Sequence, residues 1–206
     1  MSVSLPATGP ASDKREAILA AALRVIARMG LHDSAMSAIA REAGVAAGTL
    51  YLYFDGKDAM INALFLELVA DQIRALDQGR ADTTDAREGL WQAWHALARW
   101  HLEHPDASSV LHQCQTSAIL TRETRDAQQR LNADNFAHFD DAVARGAIRD
   151  LSRPVFYALF AGPILALVQL REQGELDVTE EVLRIAFDGV CRSVLPADDA
   201  ESDTGA

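Results

Sequence analysis

Histidines, cysteines and paired carboxylates are the side chains through which this sequence could do metal or covalent chemistry. His95, His101, His104, His112 and His138 gather in the middle of the chain, with Cys114 close by. His101 and His104 stand three residues apart, so on a helix two metal ligands could converge on one face. That spacing also recurs by chance, and His104 before Pro105 reads as a helix C-terminus, where a partly positive imidazole suits the dipole. Neither a metal site nor a cofactor is expected. Asp140-Asp141 and Glu180-Glu181 read as solvated helix surface, and the sequence contains no GxSxG, HExxH, P-loop or dinucleotide fingerprint. No feature points to an enzyme. Cys114 and Cys191 stand apart without CxxC spacing, which argues against a disulfide scaffold and leaves both as small packed hydrophobes.

A different chemistry gathers between Ser34 and Ala63. Ile39, Ala40, Val45, Leu50 and Phe54 are spaced to seat two short helices on the helix before them, with small Ala43 and Gly44 permitting close approach at the turn. The outer side is left with Ser37, Arg41, Ala46, Ala47, Gly48, Thr49, Tyr51, Leu52, Tyr53 and Lys57. Small residues, hydroxyls and cations in such a set suit a DNA groove and its phosphates. The second short helix lacks the Arg, Lys, Asn or Gln that usually reads base edges bidentately. Methyl contacts, backbone amides, water and DNA shape are left to carry specificity. Arg15, Arg24 and Arg28 read as partners of nearby carboxylates, and Arg41 as a candidate contact.

The elements that must position these residues are helical. Runs of alternating β-branched and aromatic residues are missing, whereas helical spacing recurs throughout, which predicts an all-α fold of about nine helices. Asp13 with Glu16 suggests a capped start, Ile18, Ala22, Val25, Ile26 and Met29 one apolar face, and Gly30 a stop. Ser34 is placed to cap a second helix through Ala43, and a third is expected from about Ala46 to Tyr53. Asp55 would cap a long fourth helix from Gly56 to about Gln78, with Met60, Leu64, Leu68 and Ile73 turned inward. Further helices are expected near 86–103, 106–119, 121–145, 152–172 and 178–194.

Ile39-Ala40, Ala43-Gly44-Val45, Gly48-Thr49-Leu50-Tyr51, Tyr53-Phe54 and Lys57 stand in an order and spacing that closely resembles the helix-turn-helix of the tetracycline-repressor (TetR/AcrR-type) family of bacterial regulators. The resemblance implies that Tyr51, Tyr53 and Lys57 hold phosphates while Ala47, Gly48, Thr49 and Leu52 face base edges. Ala46 departs from the family pattern where a Ser often caps the recognition helix, and Ser37 where a basic residue is frequent. The resemblance further implies a C-terminal domain that binds a small-molecule effector, and a dimer built by the last two helices with Gly162-Pro163 as a kink.

Beyond residue 60 the sequence offers surfaces rather than chemistry. Pro154 to Leu170 is apolar on nearly every face, which implies cover on all sides, one side by its own domain and another by a partner subunit. Its interruption at Gly162-Pro163 and its length favour a buried helix over a membrane span. Phe156, Phe160, Ile164, Leu167, Val182, Ile185, Ala186 and Gly189 are the expected dimer contacts. Leu90, Trp91, Trp94, Leu97 and His101 share one helix face, and Leu131, Asn135, Phe136, Phe139 and Val143 another. Trp94, Asn135, Phe139 and Tyr157 are the expected effector lining, suited to an apolar or amphipathic molecule.

The formal net charge of −11 is unevenly spread: residues 1–60 hold six basic and six acidic side chains, so all the acidity lies beyond them. Only the first part suits a polyanion. The expected organisation is a DNA-binding domain at 12–56, an effector and dimerisation domain at 57–195, and disordered tails at 1–11 and 196–206. Without a basic region followed by an apolar run at the start, a cytoplasmic location follows. The function expected is a homodimeric, ligand-responsive repressor on a pseudo-palindromic operator. A competing reading is a helical adaptor or enzyme-like domain with a vestigial helix-turn-helix, suggested by Ala46, Ser37 and the low basic count.

Overall fold

The computed structural model describes residues 10–80 and 83–197, so the outer parts of both expected tails, 1–9 and 198–206, lie outside the described residues. Ten α-helices and no strand occur among the described residues: α1 Pro10–Asp33, α2 Met36–Glu42, α3 Ala47–Leu50, α4 Lys57–Gly79, α5 Ala86–Glu103, α6 Pro105–Thr116, α7 Arg122–Leu131, α8 Ala133–Ala144, α9 Arg153–Glu172 and α10 Glu180–Val194. The extra helix arises because the segment expected as one helix over 121–145 breaks at Asn132. Its side chain donates to the Gln128 carbonyl, ending α7 with a local bond that competes with helix continuation.

Packing divides the chain into two compact units, residues up to Arg74 with Trp100–Asn132, and Ala75–Arg99 with the residues from Ala133 onward. In the first unit α1 packs on α2 and α6, and α2 packs on α3. Ile18, Leu19, Ala22, Val25 and Ile26 of α1 are buried, and so are Met60, Ile61, Leu64, Phe65 and Leu68 of α4. Met29, expected on the same face of α1, is exposed. The helix is broken one residue later, at Gly30, whose φ of 83° and ψ of 165° fall in a region that essentially only glycine adopts. At the other end α1 already includes Pro10, which places Asp13 in its first turn rather than at its cap.

Ser34 does not cap α2. Its hydroxyl donates back to the Leu31 carbonyl, and Ala35 holds the cap position without a side-chain bond. Thr121 and Thr179 do cap, accepting from the Thr124 and Val182 amides at the starts of α7 and α10.

The second unit is built around α9 on α10. Trp94 is fully buried and donates to the Phe160 carbonyl at 2.8 Å, so its one polar atom is satisfied. Trp91 and Phe187 meet edge-on at 5.1 Å, and the Arg184 guanidinium lies 3.9 Å from the Trp91 ring centre. Helix α9 adds two facts to the sequence reading. Its 20 residues are long and apolar enough to cross a membrane by length and composition. Within the chain only the stripe of Phe160, Ala161, Ile164 and Val168 is buried, so its own chain covers one side of the helix.

Candidate nucleic-acid interface

Local chemistry explains how α2 and α3 are joined. Gly44 takes φ 67°, the Val45 amide reaches back to the Ala40 carbonyl at 3.0 Å, and the Gly44 amide to that of Arg41 at 3.2 Å. This pair of bonds around a left-handed glycine is a Schellman turn, and it reverses the chain within three residues. Helix α3 is one turn long, and the expected extent to Tyr53 is completed by turns in which Leu52, Tyr53 and Phe54 bond back to Thr49 and Leu50. Ile39, Ala40, Leu50 and Phe54 are buried and form the seat of the pair.

Facing away from that seat are Ser37, Arg41, Ala47, Gly48, Tyr51 and Leu52, all exposed, with Thr49, Tyr53 and Lys57 half-buried at its edge. Tyr51 is 59% exposed and Leu52 81%, large for side chains that elsewhere pay no penalty only in a core. A Cβ built on Gly48 would meet nothing within 4 Å, so packing in the free protein does not require glycine there. The sequence-predicted contacts are thus brought onto one surface.

Cations around this surface differ in what they are free to do. Arg24 and Arg28 both bind Glu42, at 2.8 and 2.9 Å, and together hold its carboxyl below the usual carboxylate range. Arg15 pairs with Glu67 at 2.9 Å and lies over the Phe54 ring. Arg41, by contrast, has no ion-pair partner among the described residues. The Lys57 ammonium donates to the His32 carbonyl at 2.8 Å, which uses one of its three donors and ties the start of α4 to the α1–α2 turn.

Two residues that the sequence reading passed over hold this arrangement from behind. Asn62 of α4, buried, donates to the Asp58 and Ile119 carbonyls and accepts from the Thr121 amide. Gln113 of α6 accepts from the Leu31 amide at 3.1 Å. A polar residue on the apolar stripe of α4 was the available signal for Asn62; Gln113 gave none, because its partner is 82 residues away.

The other expected sites fall in the second unit. Asn135 accepts from Arg80 at 2.6 Å, and the Phe139 ring lies 4.6 Å from that of Phe156, which in turn lies 5.2 Å from Phe160. Trp94 joins this run through its bond to Phe160, and Tyr157 is 53% exposed. Of the expected dimer contacts, Phe160 and Ile164 are buried by their own chain, Phe156, Leu167, Val182, Ala186 and Gly189 are half-buried, and Ile185 is 64% exposed. Among the histidines, His101 is buried between Gln72 and Ser108, each 2.8 Å from a ring nitrogen, and burial pushes its pKa down to about 4. The Cys114 thiol is pushed up to about 12 by burial, which makes it a poor nucleophile.

A two-helix unit joined by a glycine turn, with a buried seat and an outward-facing exterior, defines a helix-turn-helix DNA-binding protein. Residues 18–64 match the family of bacterial regulatory proteins described as the tetR family. The HTH-type transcriptional regulator BetI of Escherichia coli is 30% identical over 160 residues, covering 68% of this chain and 75% of BetI. A TetR family transcription regulator of Marinobacter aquaeolei VT8 superposes with a TM-score of 0.82 at 29% identity, over 89% of this chain and 96% of that one. The regulator FadR of Bacillus subtilis, solved with stearoyl-CoA, shares the fold at a TM-score of 0.66 and 22% identity, over 85% and 95% of the two chains. The chain belongs to the TetR family of bacterial transcriptional regulators.

Proposed function

We propose that the protein is a homodimeric repressor that binds a pseudo-palindromic operator through α2 and α3 and releases it when a small apolar or amphipathic molecule enters the helices beyond residue 57. The observation that carries this reading is the reading surface itself: Ser37, Arg41, Ala47, Gly48, Thr49, Tyr51 and Leu52 face outward while their neighbours Ile39, Ala40, Leu50 and Phe54 are buried. Tyr51, Tyr53 and Lys57 act on phosphates, Arg41 adds a cation with no ion-pair partner among the described residues, and Thr49 and Leu52 meet base edges.

Dimerisation is supported by the apolar surface that α9 and α10 leave open. Val155, Tyr157 and Ile185 are 47%, 53% and 64% exposed, and a Cβ on Gly162 or Gly189 would meet nothing within 4 Å. A second copy packed on these positions supplies the cover that α9 lacks, and close approach is possible at the two glycines. For the effector, the run Trp94, Phe160, Phe156 and Phe139 offers an apolar lining, with Asn135 and Arg80 at one end. FadR of Bacillus subtilis holds an amphipathic acyl thioester in the same fold. Such a bacterial regulator works in the cytoplasm.

The test is selection of duplexes by the full-length protein from a randomised pool, followed by fluorescence anisotropy across a salt series. A selected duplex with two inverted half-sites, bound with affinity that falls steeply as salt rises, is expected, because phosphate contacts release counterions. Failure to enrich any duplex would overturn the reading in favour of an adaptor that keeps the helix-turn-helix only as a fold.

A further inference from the structure

The break at Gly30 creates a problem that α6 solves. A helix interrupted at one residue leaves the next amide without its acceptor four residues back, and a buried N–H without a partner is costly. Leu31 is buried, and its amide directly follows the non-helical Gly30. The acceptor comes from the Gln113 side chain of α6, whose Oε1 lies 3.1 Å from the Leu31 nitrogen. The other end of the same amide donates to Ser109 at 3.2 Å, one turn back on α6, which fixes which end of the amide faces Leu31.

Two carbonyls of this knuckle are held as well. Ser34 donates to the Leu31 carbonyl, and Lys57 donates to that of His32. Helices α4 and α6 therefore each place one side chain on the three residues that lead from α1 into α2. The angle at which α2 and α3 leave α1 depends on this knuckle, because Gly30 by itself imposes no single conformation.

We propose that Gln113 is a positioning residue for DNA binding: it touches no DNA, and by accepting from the Leu31 amide it sets the attitude of the reading helices. The inference rests on the DNA-binding reading given above. It makes Gln113, which lies in the sequence well outside the helix-turn-helix, part of the operator-binding machinery.

The test compares Gln113→Leu, which fills the space without an acceptor, with Gln113→Glu, whose carboxylate still accepts from Leu31. The full-length variants are titrated with the duplex that the wild-type protein selects, across a salt series and well below each variant's unfolding temperature. Amide hydrogen exchange is followed in parallel on the peptide covering residues 30–36. Gln113→Leu is expected to bind about tenfold more weakly with an unchanged salt slope, since no phosphate contact is lost, and to exchange faster in that peptide. Gln113→Glu is expected to keep the protection and to bind more tightly than Gln113→Leu.

Equal operator affinity for Gln113→Leu and wild type, even with a lowered unfolding temperature, would overturn the proposal and leave Gln113 a packing residue. So would unaltered exchange at residues 30–36, equal affinity losses in the two variants, or a salt slope reduced by about one. If the wild-type protein enriches no duplex, the DNA-binding reading fails and this proposal falls with it, an outcome distinct from all the others.

Discussion

Single side chains on the reading surface divide by what they offer DNA. Tyr51 presents an exposed hydroxyl on an aromatic stem, Thr49 a hydroxyl and a methyl on α3. Tyr51→Ala is expected to weaken binding to all duplexes by about 1–3 kcal/mol, whereas Thr49→Ala is expected to change the ranking among single-base variants of the selected site. Anisotropy on a panel of such variants checks this, and parallel losses for both substitutions would contradict the division. Lys57 has a dual role in the structure, since its bond to His32 braces the α1–α2 turn while two donors remain.

His101 governs a different property. Burial lowers its pKa from 6.5 to about 4, so between those values the unfolded chain holds a proton that the folded chain does not. Folding is therefore expected to weaken as pH falls from 6.5 towards 4, by about 3 kcal/mol in total from this residue, with a constant contribution above that window. The groups that face its ring nitrogens are Gln72 and Ser108, both uncharged. His101→Gln is expected to flatten that part of a plot of urea midpoint against pH. The same slope in the variant would assign it to another group.

At the scale of elements, α3 is one turn long and carries a glycine that its packing does not need. Gly48 sits in open space in the free protein, and helix propensity favours alanine there by roughly 1 kcal/mol. Gly48→Ala is thus expected to leave thermal stability unchanged or raised while weakening DNA binding, because the added methyl stands where the backbone approaches the groove. A variant that binds as tightly as wild type would move the base-facing side of α3 elsewhere. The end of α2 and the Gly44 turn were legible because Schellman geometry is local chemistry, read from Ala43-Gly44-Val45. The break at Asn132 and the reversal of Ser34 were not, since each is a competition between a side chain and the helix that differs by one hydrogen bond. For α9 the pattern told that the helix would be covered but not by what: an apolar helix reads the same whether its own chain or a second copy covers it.

For the whole molecule, the question is what covers α9 and α10. Ile185→Glu places a charge on an exposed apolar position, so it is expected to spare folding while shifting the protein towards monomer in sedimentation. Operator affinity should then fall by about a hundredfold as the two heads lose their linkage. A variant that stays dimeric would move the interface away from Ile185. Charge is arranged to suit such an assembly, with the net negative charge carried by the part of the chain beyond residue 60 and the first sixty residues neutral in sum.

The helix-turn-helix, most of its buried and outward residues, and the all-α class were legible along the chain, because these follow from periodicity, glycine turns and local spacing that need no distant partner; Val45, expected in the seat, is only half-buried. Only the tertiary structure decided that Arg24 and Arg28 converge on Glu42, that Asn62 ties α4 to the turn after α6, and that Gln113 satisfies the amide that follows Gly30. Each of those contacts joins residues between 14 and 82 positions apart, where the partner is chosen by how helices pack and not by any pattern along the chain.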